Sequence, residues 1–95
     1  MEQIPTHQAA AMNNVAELDS LVREGAQLES TETKETPLHA AAKRGALDTL
    51  AWLLENKTVS PLKKASNGNT AAHYAAVYGH SKALKVGLPH SSLSP

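Results

Sequence analysis

Thr36-Pro37-Leu38-His39-Ala40-Ala41-Ala42-Lys43-Arg44-Gly45 decides the fold, because it returns 34 residues later as Thr70-Ala71-Ala72-His73-Tyr74-Ala75-Ala76-Val77-Tyr78-Gly79. Threonine, histidine, an Ala-Ala pair and glycine recur in register, and self-similarity at a fixed period is the signature of a repeat architecture. The frame extends backwards to His7-Gln8-Ala9-Ala10-Ala11-Met12-Asn13, at an offset of 32 residues. Leu18, Leu21, Val22 and Gly25 then parallel Leu50, Leu53, Leu54 and Lys57. Three units are visible, joined by connections of slightly unequal length.

Each position in the unit has a physical reason. Thr36 accepts from an otherwise unpaired helix N–H as an N-cap, and Pro37 at the first helical position forfeits no useful donor. Leu38, Ala41 and Ala42 follow on one face, the alanines letting neighbouring helices approach closely. Gly45 and Gly79 stop the first helix of their units, since a left-handed backbone is nearly free for glycine. Asn13 holds that place in the first unit, and asparagine tolerates the same conformation. A second helix is expected over Leu47 to Glu55, with Leu47, Leu50, Leu53 and Leu54 as its buried stripe and Trp52 packing between repeats. Leu18, Leu21 and Val22 repeat the stripe, and Gly25 closes that helix. Residues 27–35 and 59–69 read as turn-rich connections, with Asn67-Gly68 the clearest turn.

Composition supports a stacked, elongated shape over a bulky core. Apolar residues make up 41% of the 95, but many are alanine and phenylalanine is absent. Without cysteine there is no disulfide or thiolate chemistry. No basic-plus-apolar leader opens the chain, and no stretch is long and apolar enough to span a bilayer, so a cytoplasmic or nuclear location and no membrane partner are expected. The triplet Asn56-Lys57-Thr58 matches a glycosylation site only by its three letters. Net charge is zero, yet residues 1–35 carry seven acids against two bases and residues 36–95 two acids against seven bases. Such polarity steers a partner or favours head-to-tail self-contact. The bases are too dispersed for a nucleic-acid footprint.

Thr36-Pro37-Leu38-His39-Ala40-Ala41 resembles the signature of the ankyrin repeat family, and Gly25-Ala26 resembles its helix-ending Gly-Ala; the likeness covers roughly residues 4–88. The resemblance implies an all-α solenoid of helix pairs with projecting loops and a concave surface made of first helices and loop tips. It assigns His39 and His73 to hydrogen bonds within the turn that opens each first helix. Together with Thr36, Pro37, Leu38, Gly45, Thr70 and Gly79, they are structural rather than chemical residues. Thr70-Ala71-Ala72-His73 lacks the family's proline and leucine, and Lys34 and Lys57 stand where glycine is usual.

The chain divides into a degenerate N-terminal repeat (2–32), a second repeat (33–66), a third with a shortened second helix (67–88) and a disordered tail (89–95). Gly87-Leu88-Pro89 is expected to halt the helix begun at Ser81. An end of this kind leaves a stripe uncovered, whereas arrays normally finish on a polar outer face. It reads as the truncated end of a longer repeat protein, open to self-association.

No catalytic or cofactor chemistry is legible. The histidines fall one to a repeat without a zinc spacing, the serines lack a nucleophile motif, and isolated glycines do not make a phosphate loop. Glu32 and Glu35, in a connection, read as solvated. The expected function is docking or scaffolding of another protein, not catalysis. The alternative is a marginally stable fragment of a longer protein, such as the regulatory part of an enzyme, adaptor or channel. By family likeness the partner-facing positions are Met12, Lys43, Arg44, Val77 and Tyr78, joined by Glu35 and Asn69. Tyr78 and Arg44 stand out, since tyrosine and arginine are over-represented among residues that dominate interfaces.

Overall fold

The computed structural model describes residues 4–56 and 59–85. Among them every regular element is a helix: α1 (Pro5–Ala11), α2 (Val15–Arg23), α3 (Pro37–Arg44), α4 (Leu47–Asn56), α5 (Ala71–Val77) and α6 (Ser81–Leu84). They pair in chain order, α1 with α2, α3 with α4 and α5 with α6. Across the pairs, α1 packs on α3 and α3 on α5, while α2, α4 and α6 form a second row. The result is a two-layer stack of three helical hairpins.

Side-chain size explains the layering. The inner row meets through small residues, Ala9, Ala10, Ala41, Ala42, Ala71, Ala72 and Ala75, all buried. Bulk is kept for the seam between the rows, where Leu18, Leu38, Leu50 and Leu53 are fully buried. Each such leucine contributes about 1.5–3 kcal/mol of transfer free energy. Truncating Leu50 to alanine is expected to cost about 2–5 kcal/mol once the cavity is included. In the outer helices Leu21, Val22, Leu47, Trp52 and Leu54 are half-buried and pack on this core.

The helix starts follow the sequence logic. Thr36 and Thr70 each accept from the backbone N–H three residues on, and His39 Nδ1 and His73 Nδ1 accept in return from the threonine N–H, at 3.1 and 3.2 Å. Because that ring nitrogen accepts, the proton sits on Nε2, and His39 Nε2–H donates across the repeat boundary to the Asn69 carbonyl at 3.1 Å. The first repeat is wired differently. Ile4 provides no side-chain cap, and Thr6 and His7 reach instead to the Gln27 and Leu28 carbonyls, each at 2.6 Å.

Inner helices end alike. Asn13, Gly45 and Gly79 take φ of +57°, +67° and +75°. Lys34 also lies in the left-handed region, at +61°, so the expected glycine-like geometry is present there without a glycine. The connections are tightly turned: Ser30 N–H donates to Glu35 O at 2.8 Å, and Ala65 N–H to Asn69 O at 2.9 Å. Successive connections are tied by Ser66 N–H to Thr33 O at 2.7 Å and by a 2.9 Å ion pair between Lys63 and Glu29. α4 runs one residue beyond its expected end, to Asn56. The helix begun at Ser81, expected to run to Gly87, ends already at Leu84 with Lys85 as its C-cap; Lys57, Gly87-Leu88-Pro89 themselves and the tail 89–95 lie outside the described residues.

Candidate docking surface

The inner-row face of the second and third repeats is organised around Tyr74. Its hydroxyl donates to Glu35 Oε2 at 2.7 Å and accepts from Asn67 Nδ2 at 3.1 Å. Lys43 Nζ lies 3.1 Å from the Glu35 carboxylate and 5.2 Å from the centre of the Tyr74 ring. His39 meets the same ring edge to face at 5.2 Å. These residues come from four segments, the connection before α3, α3 itself, the connection before α5 and α5, so the cluster exists only in the folded stack.

Electrostatics within it are consistent. Burial works to raise the Glu35 carboxyl, but hydrogen bonds from Tyr74 and Lys43, with the Lys43 charge, outweigh it and hold the group below the ordinary carboxylate range. Burial, and then donation to the Glu35 carboxylate, push the Tyr74 phenol up to about 12. The His39 imidazole is held below its usual value, chiefly by burial. Cation, carboxylate and phenol are thus matched at neutral pH.

The seven candidate contact residues fall into two groups. Met12, Val77 and Tyr78 are strongly exposed, at 75%, 73% and 54%, and Arg44 is exposed beside them. Met12, Arg44 and Tyr78 each immediately precede the left-handed residue that ends an inner helix, so the stacking of α1, α3 and α5 sets them in a row, one per repeat. Lys43, Glu35 and Asn69 belong to the internal wiring: the first two pair with each other, and the Asn69 carbonyl receives His39. The solvated reading of Glu35 is therefore corrected. Its side chain is only 18% exposed, because Tyr74 and Lys43 close over it. Tyr74 is the residue sequence reasoning passed over. The available signal was its spacing of four from Tyr78, which puts both on one helix face; their rings meet edge to face at 6.4 Å.

His80 adds a second contact between repeats. Its Nε2–H donates to the Lys43 carbonyl at 2.9 Å, satisfying one of the free acceptors at the end of α3. Among the described residues no three histidine, aspartate or glutamate side chains gather as a metal site, and no helix is long and apolar enough to cross a membrane.

Stacked helical hairpins with an exposed, partly apolar inner face define the class of solenoid repeat proteins, whose extended surfaces suit macromolecular contacts. The family described as "Ankyrin repeats (3 copies)" matches residues 6–90, and the chain belongs to it. Ankyrin repeats are in general protein-interaction modules. Osteoclast-stimulating factor 1 of Monopterus albus is 41% identical over 66 residues, covering 68% of this chain and 30% of that protein. Alpha-latrotoxin-Lhe1a of Latrodectus hesperus is 33% identical over 73 residues, covering 75% of this chain but 5% of the toxin. NF-kappa-B inhibitor alpha of Rattus norvegicus is 29% identical, covering 84% of this chain and 27% of that protein. Among solved structures, a chain from the complex of the Bd0816 predatory endopeptidase of Bdellovibrio bacteriovorus with immunity protein Bd3460 superposes with a TM-score of 0.77. It is 28% identical, and the likeness covers 94% of this chain and 49% of that one. The chain thus spans less than half the length of each relative.

Proposed function

We propose that this protein docks another protein on the face carrying Met12, Arg44, Val77 and Tyr78. The observation that carries this reading is the exposure of three large apolar side chains beside an arginine at the ends of the inner helices, while the alanines behind them are buried. Apolar anchors flanked by a cation are the composition favoured at interface centres. Lys43, Glu35 and Tyr74 serve as the rigid floor. The relatives fit a binding role: one is named an inhibitor, and the solved neighbour is a chain of a protein–protein complex.

The test is cross-linking of the intact chain in a lysate, with the captured protein purified and its affinity measured for wild type, Arg44→Ala and Tyr78→Ala. A true anchor loses at least about 1 kcal/mol, or some fivefold in Kd. Unchanged affinity in both variants refutes this surface. A second reading places the three repeats as the docking segment of a longer polypeptide, favoured by the minor share of each relative that is matched. A circular-dichroism melt combined with size in solution separates the two. A cooperative helical monomer supports an independent module, and a non-cooperative or aggregating chain supports the segment.

A further inference from the structure

The face described above carries more than a general stickiness. Resting on the docking reading, we propose that its row receives a polyproline-II peptide of a partner protein in which one acidic side chain is flanked, three residues away on each side, by apolar side chains. The acid meets Arg44, and the apolar residues meet Met12 on one side and Val77 with Tyr78 on the other.

Charge selects the acid. Of the two adjacent cations that end α3, Lys43 is neutralised by Glu35 at 3.1 Å, whereas Arg44 has no ion-pair partner among the described residues. Asp48, in α4 beyond the Gly45 turn, is approached by Asn13 Nδ2 at 3.5 Å instead. The net positive charge at the middle of the row is therefore that of Arg44, whose planar fork suits a carboxylate bidentately.

Spacing selects the flanks. Packed helices lie about 8–10 Å apart, and a polyproline-II chain rises about 9 Å over the three residues of one turn, which also returns every third side chain to the same face. A peptide crossing the inner helices thus presents every third side chain to successive repeats, in the order apolar, acidic, apolar. Tyr78 is pre-organised for its part. Its ring rests edge-on against Tyr74, which Glu35 and Asn67 hold in place, so less rotamer freedom is lost on binding.

The experiment measures fluorescence anisotropy of the intact chain with labelled seven-residue peptides of pattern Leu-x-x-Asp-x-x-Leu, each x a serine or glycine, and with versions carrying Asn or Lys at the centre or Ser at both flanks. The aspartate peptide is expected to bind at least about tenfold tighter than each alternative. Arg44→Glu should reverse the central preference to lysine, and Arg44→Gln, a gentler variant should the first fail to fold, should abolish it. Met12→Ser with Val77→Ser should erase the preference for leucine flanks. Absence of binding, or a preference for aspartate that survives both Arg44 variants, overturns the proposal. So does a dimer of the chain alone that Arg44→Glu dissociates in sedimentation velocity, since the row would then serve a second copy. If a captured partner maps to this row while the peptides show no acid preference, the motif falls and the docking reading stands. A partner mapping elsewhere overturns both.

Discussion

The side-chain carbonyl of Asn13, in the first repeat, accepts both the backbone N–H and the hydroxyl of Thr49, in the second, at 3.0 Å each. Thr49 is the third residue of α4, where an N–H has no partner inside its own helix. Asn13 itself sits at φ +57°. One side chain therefore ends a turn in one repeat and caps the outer helix of the next.

Replacing Asn13 with glycine separates these roles, because glycine keeps the left-handed backbone and removes the cap. A loss of about 1–2 kcal/mol is expected in chemical denaturation, as the Thr49 N–H and buried hydroxyl both lose their acceptor. Asn13→Ala should lose about 1 kcal/mol more, from backbone strain. A glycine variant as stable as wild type would refute the cap.

Gly45 and Gly79 are equivalent by sequence but not by surroundings. A β-carbon on Gly45 would lie 2.7 Å from His80 Nδ1, while one on Gly79 meets nothing within 4 Å. Both alanine variants carry the strain of a left-handed alanine, about 1–2 kcal/mol. Gly45→Ala must in addition displace His80 from the Lys43 carbonyl, adding about 1 kcal/mol. Thermal melts should therefore rank Gly45→Ala below Gly79→Ala. Equal melting temperatures would show that His80 yields freely.

Tyr74 can be read spectroscopically. The chain has two tyrosines, so Tyr78→Phe leaves Tyr74 as the sole phenol. Its absorbance titration should have a midpoint near 12. Adding Glu35→Gln removes the negative charge that opposes the phenolate, and the midpoint should fall. Since the folded value lies above the ordinary value of about 10, the associated stability is present below pH ~10 and lost as the phenol ionises near 12. An ordinary midpoint in folded Tyr78→Phe would contradict the burial and hydrogen bonding seen here.

His39 controls the acidic side. Its folded pKa lies below the usual value of about 6.5, so on acidification the unfolded chain takes up the proton first. Stability is full above pH ~6.5 and declines as pH falls toward and through the folded value. Protonation would also set an Nδ1–H against the Thr36 N–H, two donors face to face. Unfolding free energies at pH 7.5 and 5.5 should differ more in wild type than in His39→Gln. The depressed Glu35 carboxyl adds a separate loss below about pH 4.5. An identical pH slope in the histidine variant would remove His39 from the account.

Much of the fold was legible because each repeat is governed by short-range rules. The Thr36 and Thr70 caps, the left-handed stops at Asn13, Gly45 and Gly79, and the leucine stripe of α4 each depend on residues within a few positions, and the 32- and 34-residue offsets report each at least twice. Glu35 was misread for the opposite reason. Its partners Lys43 and Tyr74 lie eight and 39 positions away, beyond what a local pattern records.

The sequence by itself determined three helix pairs, the threonine caps of α3 and α5, the left-handed residues that end the inner helices, and which faces are apolar, since capping and amphipathicity are local. Only the tertiary structure decided that Asn13 caps α4, that His80 closes α3, and that Tyr74 draws Glu35 and Lys43 into one half-buried network. Those contacts join side chains brought together by stacking α1 on α3 and α3 on α5. The same tertiary structure neutralises Lys43 and leaves Arg44 exposed between Met12 and Tyr78. That distinction between two adjacent cations comes from the fold of the connection before α3, which brings Glu35 back onto Lys43, and Tyr74 of the third repeat fixes Glu35 there.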